Sequence, residues 1–340
     1  MAISLAAAAT VPTARAEDEA ITVGFQGAAY GALPLFVASE KGWWAAVALA
    51  PRFVAYAAGP TQVAAAAGRN WDIGVGGLST AVLGAAFAEL TTIAPTADEA
   101  PAHVVLARAD QVEAITRAPQ SLRGQQIFLS ANTTADMVAV ACLRRWSLRR
   151  DELRIVNLAP SQIVTAFAAG NGTLAVVWGP YNHILAERVP VQPLCSGREG
   201  ALALPGAVLA RAAFLRESPG RAVRFLAVYL RAVAWQRANP REALELFRRF
   251  SAEGGLPLDE RAAQAEIEAR PLFASDDVQR LMARTAAAPS PFDRAFAALA
   301  AYLRSVGAVR EAPDPRAAIS DDVLRRLLAD AALRSVATTP

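Results

Sequence analysis

Three stretches near the N-terminus decide the fold: ITVGFQGA (residues 21–28), PRFVAYAAGPT (residues 51–61) and DIGVGG (residues 72–77). Each is a run of strand-forming apolar residues that breaks into glycine or proline, and each precedes an apolar helical segment. Strand, turn and helix therefore repeat three times in succession. This repetition is typical of a parallel α/β sheet, in which ligands bind at the carboxyl ends of the strands.

The same order of elements returns in the middle of the chain. A strand is predicted over Gln126–Leu129, and Asn132-Thr133-Thr134 opens the helix that follows it. Further strands are predicted over Arg154–Leu158 and Leu174–Trp178. From about Arg221 onward, apolar residues recur at three- and four-residue steps, so the sequence predicts a second α/β unit followed by helices that pack against a lobe.

The composition is that of a folded protein large enough for two lobes. The chain has 340 residues, of which 54% are hydrophobic and 19% charged. Its 34 basic and 31 acidic residues are interspersed, which does not favour a nucleic-acid partner. No stretch after the N-terminus reaches the roughly 18 apolar residues of a membrane-spanning helix.

The N-terminus has the pattern of a secretory leader. An apolar stretch over Ala2–Val11 precedes Ala14-Arg15-Ala16, and the small residues predict cleavage after Ala16. The alternative is an alanine-rich tail, because no basic residue precedes the apolar stretch. The two cysteines leave pairing open, but the helical spacing of Cys142 with Trp146 favours a buried, unpaired thiol over a bridge to Cys195.

Short patterns along the chain carry a family resemblance. They are VGFQ (residues 23–26), ASEKGWW (38–44), AGP (58–60), GRNWDIG (68–74), SLRGQ (121–125), NTT (132–134) and WGPY (178–181). In this order the chain resembles the periplasmic substrate-binding proteins of ABC importers for nitrate, sulfonates and taurine, the aliphatic sulfonate-binding, NMT1/THI5-like family. It departs from that pattern at Leu78 and Thr173, where the family can carry aspartate, and at Ala131, where it has glycine.

The resemblance implies an α/β, bilobed periplasmic-binding-protein fold of type II, with two parallel-rich sheets flanked by helices and a ligand cleft between the lobes. Residues 1–16 would be the signal peptide, 17–103 plus 206–340 lobe 1, and 104–205 lobe 2, with crossovers near His103–Arg108 and Ala203–Val208. It further implies a periplasmic monomer that closes on a small organic anion and delivers it to an ABC permease in the inner membrane.

The expected ligand site collects the loops that follow the strands. The residues expected to bind are Gln26, Gly27, Gly59, Pro60, Gly77, Leu78, Asn132, Thr133, Thr134, Trp178 and Tyr181. Helix N-termini suit an oxyanion, Gln26 and the threonines would add hydrogen-bond donors, and the aromatic rings would hold an organic tail. The alternative reading of each loop is ordinary helix capping.

An aliphatic sulfonate is the first choice of ligand. Nitrate is disfavoured because none of these loops carries a basic side chain, and taurine needs a carboxylate such as Glu187 or Glu199 near its amine. A neutral or pyrimidine-like ligand stays open, since Leu78 and Thr173 make the cleft less polar than the family pattern. Delivery to a sensor in place of a permease also stays open.

No cofactor, metal site or catalytic function is expected. Two histidines, His103 and His183, do not suggest a metal centre, and the arginines at 144, 145, 149 and 150 are expected to form a solvated helix face. Enzymes of the same fold are the alternative: a desulfinase needs a cysteine in the loop Gln26-Gly27-Ala28, and a thiamine-pyrimidine synthase needs a cysteine-rich iron site. The chain has neither, so a binding protein is favoured over an enzyme.

Overall fold

The computed structural model describes residues 19–27 and 30–340, and within them two five-stranded mixed sheets are flanked by helices. The predicted leader and its cleavage site lie outside the described residues, as does Ala28. The strands are β1 (Glu19–Gln26), β2 (Leu49–Tyr56), β3 (Ile73–Gly76), β4 (Leu90–Asp98), β5 (His103–Arg108), β6 (Gln126–Leu129), β7 (Arg154–Asn157), β8 (Leu174–Trp178), β9 (Val191–Ser196) and β10 (Pro205–Arg211).

The first sheet has the strand order β2-β1-β3-β10-β4, and the second has β7-β6-β8-β5-β9. In the first, β1 runs parallel to β2 and β3, and β10 runs antiparallel to β3 and β4. In the second, β6 runs parallel to β7 and β8, and β5 runs antiparallel to β8 and β9. The two sheets thus share one topology, and in each a single strand, β10 or β5, runs antiparallel to the other four.

Two short connections join the sheets, over residues 99–102 and 197–204. The first sheet takes its strands from residues 19–98 and 205–211, and the second takes its strands from residues 103–196. The lobe boundaries given above stay a prediction.

Helices flank both sheets and continue to the C-terminus. They are α1 (Leu33–Glu40), α2 (Gly59–Ala67), α3 (Leu78–Phe87), α4 (Val112–Arg117), α5 (Thr134–Arg145), α6 (Pro160–Ala168), α7 (Tyr181–Arg188), α8 (Ala212–Glu217), α9 (Pro219–Ala238), α10 (Pro240–Glu253), α11 (Glu260–Ala269), α12 (Ser275–Met282), α13 (Pro291–Ser305), α14 (Pro315–Ala318), α15 (Asp322–Ala329) and α16 (Ala331–Thr338). No helix among the described residues is long and apolar enough to cross a membrane.

Close packing explains the glycines of the first stretches. The indole of Trp71 is fully buried against β1, and a Cβ at Gly24 would stand 2.8 Å from its ring. A Cβ at Gly74 would overlap the carbonyl oxygen of Gly24 on the neighbouring strand. Glycine at both positions therefore allows β1 and β3 to pair beneath the tryptophan.

The first helix ends earlier than its apolar pattern suggests. It stops at Glu40 because Gly42 adopts a left-handed backbone with φ of 68°, and Trp43 N–H then caps the carbonyl of Ala38. Trp44 stacks on Phe225 of α9, with ring centroids 5.4 Å apart. These rings fix α9 to the first sheet, so the C-terminal helices complete that lobe's core.

Two expectations about side chains were wrong. Cys142 of α5 and Cys195 of β9 form a disulfide, with Cα atoms 5.9 Å apart, because α5 packs over β5 and its neighbour β9. Arg150 does not lie on a solvated face, because its Nε is 3.0 Å from Oδ1 of Asp136, whose side chain is completely buried. A buried carboxylate needs such a partner.

Candidate ligand-binding site

One small cavity is lined by residues from both sheets and from the connection between them. Its lining residues are Gln26, Gly59, Gly77, Ser79, Glu99, His103, Thr133, Thr134, Trp178 and Arg270. The cavity has about 20 Å³ of free space, which is about the room one water molecule needs. The cavity as it stands is therefore too small for an organic ligand.

Strand ends and helix starts build this cavity. Gln26 is the last residue of β1, and Gly77 and Thr133 occupy the N-cap positions of α3 and α5 without a side-chain capping hydrogen bond. The first N–H groups of α2, α3 and α5 have no partners within their helices and carry the positive end of the helix dipole. Both sheets thus present backbone donors to the same cavity.

The structure brings six of the eleven expected site residues to this cavity: Gln26, Gly59, Gly77, Thr133, Thr134 and Trp178. The other five do not line it. Gly27 lines a separate groove among phenylalanines, Leu78 is fully buried, Pro60 and Asn132 are exposed, and Tyr181 packs edge-on against Trp178 with ring centroids 6.1 Å apart.

The side-chain hydrogens of two expected donors are used within the fold. Gln26 Nε2 donates to Oγ1 of Thr80 at 3.0 Å and to Oε1 of Gln62 at 3.3 Å. Thr133 Oγ1 donates to the carbonyl of Ser130 at 2.7 Å. Donation to an anion by these two side chains stays a prediction, and it requires them to exchange these internal hydrogen bonds for bonds to the ligand.

The hydroxyl of Thr134 is also committed, through His103. The Nδ1 atom of His103 is 2.9 Å from the carbonyl oxygen of Glu99, which can only accept, so Nδ1 carries the proton. Burial lowers the pKa of His103 to about 4, so the ring is neutral and its Nε2 accepts. Thr134 Oγ1, at 2.7 Å, donates to that atom. His103 stacks on Trp178 at 5.8 Å, which orients the tryptophan in the cavity wall.

Sequence reasoning missed the two charged residues of the cavity, Glu99 and Arg270. Glu99 is 5% exposed, and no described residue donates a hydrogen bond to its carboxylate. Burial raises its pKa to about 7, against the attraction of Arg270. Arg270 is 1% exposed and pairs with Glu266, while its Nε has no partner among the described residues.

The argument against nitrate is corrected by Arg270, because the cavity does contain a basic side chain. Burial lowers the pKa of Arg270 to about 10, so it stays charged at neutral pH. It was missed because it follows α11 and does not lie in a loop after a strand. Its only sequence signal is the four-residue spacing from Glu266.

Glu266 connects α11 with the second sheet. Its Oε2 is 3.2 Å from Nε2 of His183 in α7, and a Cβ at Gly179 would overlap its carboxylate. Arg270 also donates to the carbonyl of Gly179 at 3.4 Å. His183 therefore lies at a contact between α11 and the second sheet. No group of three potential metal ligands occurs among the described residues.

The sequence profile of the family described as NMT1/THI5 like matches residues 31–243, well over half of the chain. The chain belongs to the NMT1/THI5-like family. A curated relative from Bacillus subtilis, named as an aliphatic sulfonates-binding protein, is 26% identical over 219 residues, which are 63% of this chain and 65% of that protein. The match thus spans slightly less than two thirds of the relative's length.

Solved structures share the fold of this NMT1/THI5-like protein. The periplasmic aliphatic sulphonate binding protein SsuA from Escherichia coli superimposes with a TM-score of 0.73 at 18% identity, over 89% of this chain and 92% of its own. DszB, solved as a cysteine-to-serine variant with biphenyl-2-sulfinic acid, superimposes with a TM-score of 0.64 at 14% identity, over 92% and 99% of the two chains. The bilobed periplasmic-binding-protein fold is thereby confirmed.

Proposed function

We propose that this protein is the substrate-binding component of an ABC import system, which captures a small organic anion, with an aliphatic sulfonate as first choice, and delivers it to a membrane permease. The observation that carries the proposal is the meeting of helix N-termini from both sheets at one buried cavity. The named sulfonate-binding relative and the SsuA fold support the same class of ligand.

The cavity chemistry suits a tetrahedral oxyanion. Backbone N–H groups at the starts of α3 and α5 can donate to its oxygens, because those groups have no partners within the helices. The hydroxyl of Ser79 and the unpartnered Nε of Arg270 add donors at the same cavity. An organic tail would lie against Trp178, whose ring is held by His103.

Capture needs the lobes to separate, since the closed cavity is too small for an organic ligand. The connections over residues 99–102 and 197–204 would act as the hinge. Opening would break the contacts of Glu266 with His183 and of Arg270 with Gly179. Their re-formation around a ligand would exclude water and strengthen the electrostatic contacts, because the local dielectric constant falls.

The location proposed for the protein is the periplasm, where it would act as a monomer after cleavage of the leader following Ala16. The disulfide between Cys142 and Cys195 supports this proposal, because disulfides persist in oxidising compartments.

We propose binding without a covalent step. A desulfinase of this fold would need a free thiol at the end of β1, whereas the residues there are Gln26 and Gly27. Both cysteines of the chain are paired in the disulfide between α5 and β9. No thiol is therefore available as a nucleophile.

A thermal-shift screen tests the function. The panel contains alkanesulfonates, taurine, nitrate, sulfate and thiamine-type pyrimidines, with sodium chloride at equal ionic strength as control. A ligand at a hundred times its dissociation constant should add about 2.7 kcal/mol to the free energy of unfolding. A rise in Tm with a sulfonate supports the proposal. A rise with only a pyrimidine, or with no compound, contradicts the sulfonate assignment.

A further inference from the structure

The carboxylate of Glu99 lies where the oxygens of a bound anion are expected. Glu99 lines the cavity, and Gly77, at the N-cap position of α3, is so near that an added Cβ would be 3.4 Å from Oε2. On the other side, a Cβ at Gly206 of β10 would be 3.0 Å from Oε1. An anion that accepts from the first N–H groups of α3 would therefore bring an oxygen close to this carboxylate.

The charges around Glu99 compensate this carboxylate only in part. Arg270 is the guanidinium of the cavity lining, and it is already paired with the buried carboxylate of Glu266. The ring of His103 is neutral in its contact with Thr134. Two carboxylates thus share one guanidinium in a buried site. A bound anion adds a further negative charge, and like charges in contact favour the protonated form of the weaker acid.

We infer, on the basis of the proposed function, that capture of the anion takes up one proton, because Glu99 binds the ligand as a carboxylic acid and donates a hydrogen bond to one of its oxygens. The proton comes from solvent and stays on the carboxyl of Glu99, since a sulfonate is too strong an acid to hold it. It returns to solvent when the ligand leaves. Glu99 is thereby a ligand-binding residue, and its charge state sets the affinity.

The place of Glu99 in the fold gives the proton a route. Its N–H donates to the carbonyl of Leu204, so its backbone joins the two connections between the sheets. Its carbonyl accepts from Nδ1 of His103 at the start of β5. The side chain is buried in this arrangement, and separation of the lobes at these connections would open it to solvent. Ligand and proton therefore enter through the same opening.

The other groups that face Glu99 do not account for such a proton. They are Arg270, Asp98, Tyr229, Tyr30 and His103. Burial lowers the pKa of Arg270 to about 10, so it stays charged up to pH 8.5. Burial raises the pKa of Tyr30 to about 12 and that of Tyr229 well above its usual value, so both phenols stay neutral. The pKa of Glu99, raised by burial to about 7, lies within the range from pH 6 to 8.5.

The first test is calorimetry of ethanesulfonate binding at pH 6 and pH 8.5, in Bis-tris and Tris, which contain no sulfonate. The affinity of the wild type should fall about tenfold or more, because the fraction of free protein with a protonated Glu99 falls by that factor. Glu99→Gln places an amide donor there that does not titrate, so its affinity should not change between these pH values. The control Glu113→Gln, at an exposed glutamate of α4, should follow the wild type.

The second test counts the protons and needs no variant. Ethanesulfonate is added to the protein in unbuffered potassium chloride, and a pH-stat records the acid needed to hold the pH. The wild type should take up about three-quarters of a proton per bound ligand at pH 7.5 and almost none at pH 6, where Glu99 is already protonated. Glu99→Gln should take up none at either pH. The count in the wild type is decisive even if this variant fails to fold.

The outcomes separate the inference from the function. Binding by the wild type without proton uptake at pH 7.5, or with the same affinity at pH 6 and 8.5, would overturn the inference and leave a sulfonate binder. Proton uptake that persists in Glu99→Gln would also overturn it, because another group would then carry the proton. Failure of the wild type to bind ethanesulfonate at either pH would overturn the proposed function, together with the inference that rests on it.

Discussion

Replacing Glu99 with glutamine should change how stability depends on pH, even without a ligand. The carboxyl is 5% exposed, and burial raises its pKa from 4.5 to about 7. Between these values the unfolded chain loses the proton while the folded protein keeps it. The free energy of unfolding therefore falls as pH rises through this window, and the loss is complete above the folded pKa.

The magnitude follows from the size of the shift. A change of 2.5 pKa units corresponds to about 3 kcal/mol, so wild-type protein at pH 8 carries a penalty of that order which Glu99→Gln lacks. His103 acts in the opposite sense: its pKa is lowered to about 4, so its contribution is lost as pH falls from 6.5 toward 4. Both proteins contain His103, so its effect cancels in their difference.

The assay is urea denaturation of wild-type and Glu99→Gln protein at pH 4.5 and pH 8. The stability difference between the two proteins should shift by about 3 kcal/mol in favour of the variant from the lower to the higher pH. The quantity compared is the change in this stability difference between the two pH values. The cost of placing an amide at this position does not depend on pH and therefore cancels. Glu113→Gln should follow the wild-type curve. Parallel curves for wild type and Glu99→Gln would refute the account of Glu99 as a buried, unpaired carboxylate.

The remaining predictions concern the cavity's neighbours. Arg270→Met should cost about 3–5 kcal/mol, because it leaves the buried carboxylate of Glu266 without its guanidinium partner, and adding Glu266→Gln should recover part of that loss in the same denaturation assay. If the loss of stability in the double variant equals the sum of the two single losses, the pairing of Arg270 with Glu266 is contradicted. Thr133→Ala with Thr134→Ala should lower the ligand-free Tm as well as the affinity, since each removes a buried hydrogen bond worth about 1 kcal/mol. An unchanged Tm would show that these bonds are not formed. Cys142→Ala with Cys195→Ala should cost about 4 kcal/mol for a loop separation of 53 residues, and reducing agent should destabilise the wild type but not this variant.

Much of the fold follows from local sequence. The strands Gln126–Leu129 and Leu174–Trp178 occur as predicted, because short apolar runs between turn residues leave little alternative. The end of α1 did not follow from its apolar pattern, since the left-handed Gly42 stops the helix while the tryptophans continue the apolar run. The disulfide could not be predicted either, because it depends on how α5 crosses β9.

The candidate site was predictable to the extent that it consists of strand ends. Gly59, Gly77, Thr133 and Thr134 follow strands and line the cavity, whereas Gly27, which also follows a strand, lines a separate groove. Glu99 and Arg270 gave no such signal, because one lies in the connection between sheets and the other after a C-terminal helix. The sequence also could not predict which groups accept the hydrogen bonds of Gln26 and Thr134, because these partners are distant in sequence.

The most direct test of the central claim is to measure sulfonate binding by a variant in which an added side chain occupies the cavity. Gly77 has an ordinary backbone with φ of −74°, so Gly77→Val is free of left-handed backbone strain, and its Cβ would lie 3.4 Å from Oε2 of Glu99. Calorimetry with the sulfonate that raises the Tm most in the screen should show one site per chain in the wild type and at least a tenfold weaker affinity in Gly77→Val. Equal affinity in the two folded proteins would contradict a ligand site at this cavity.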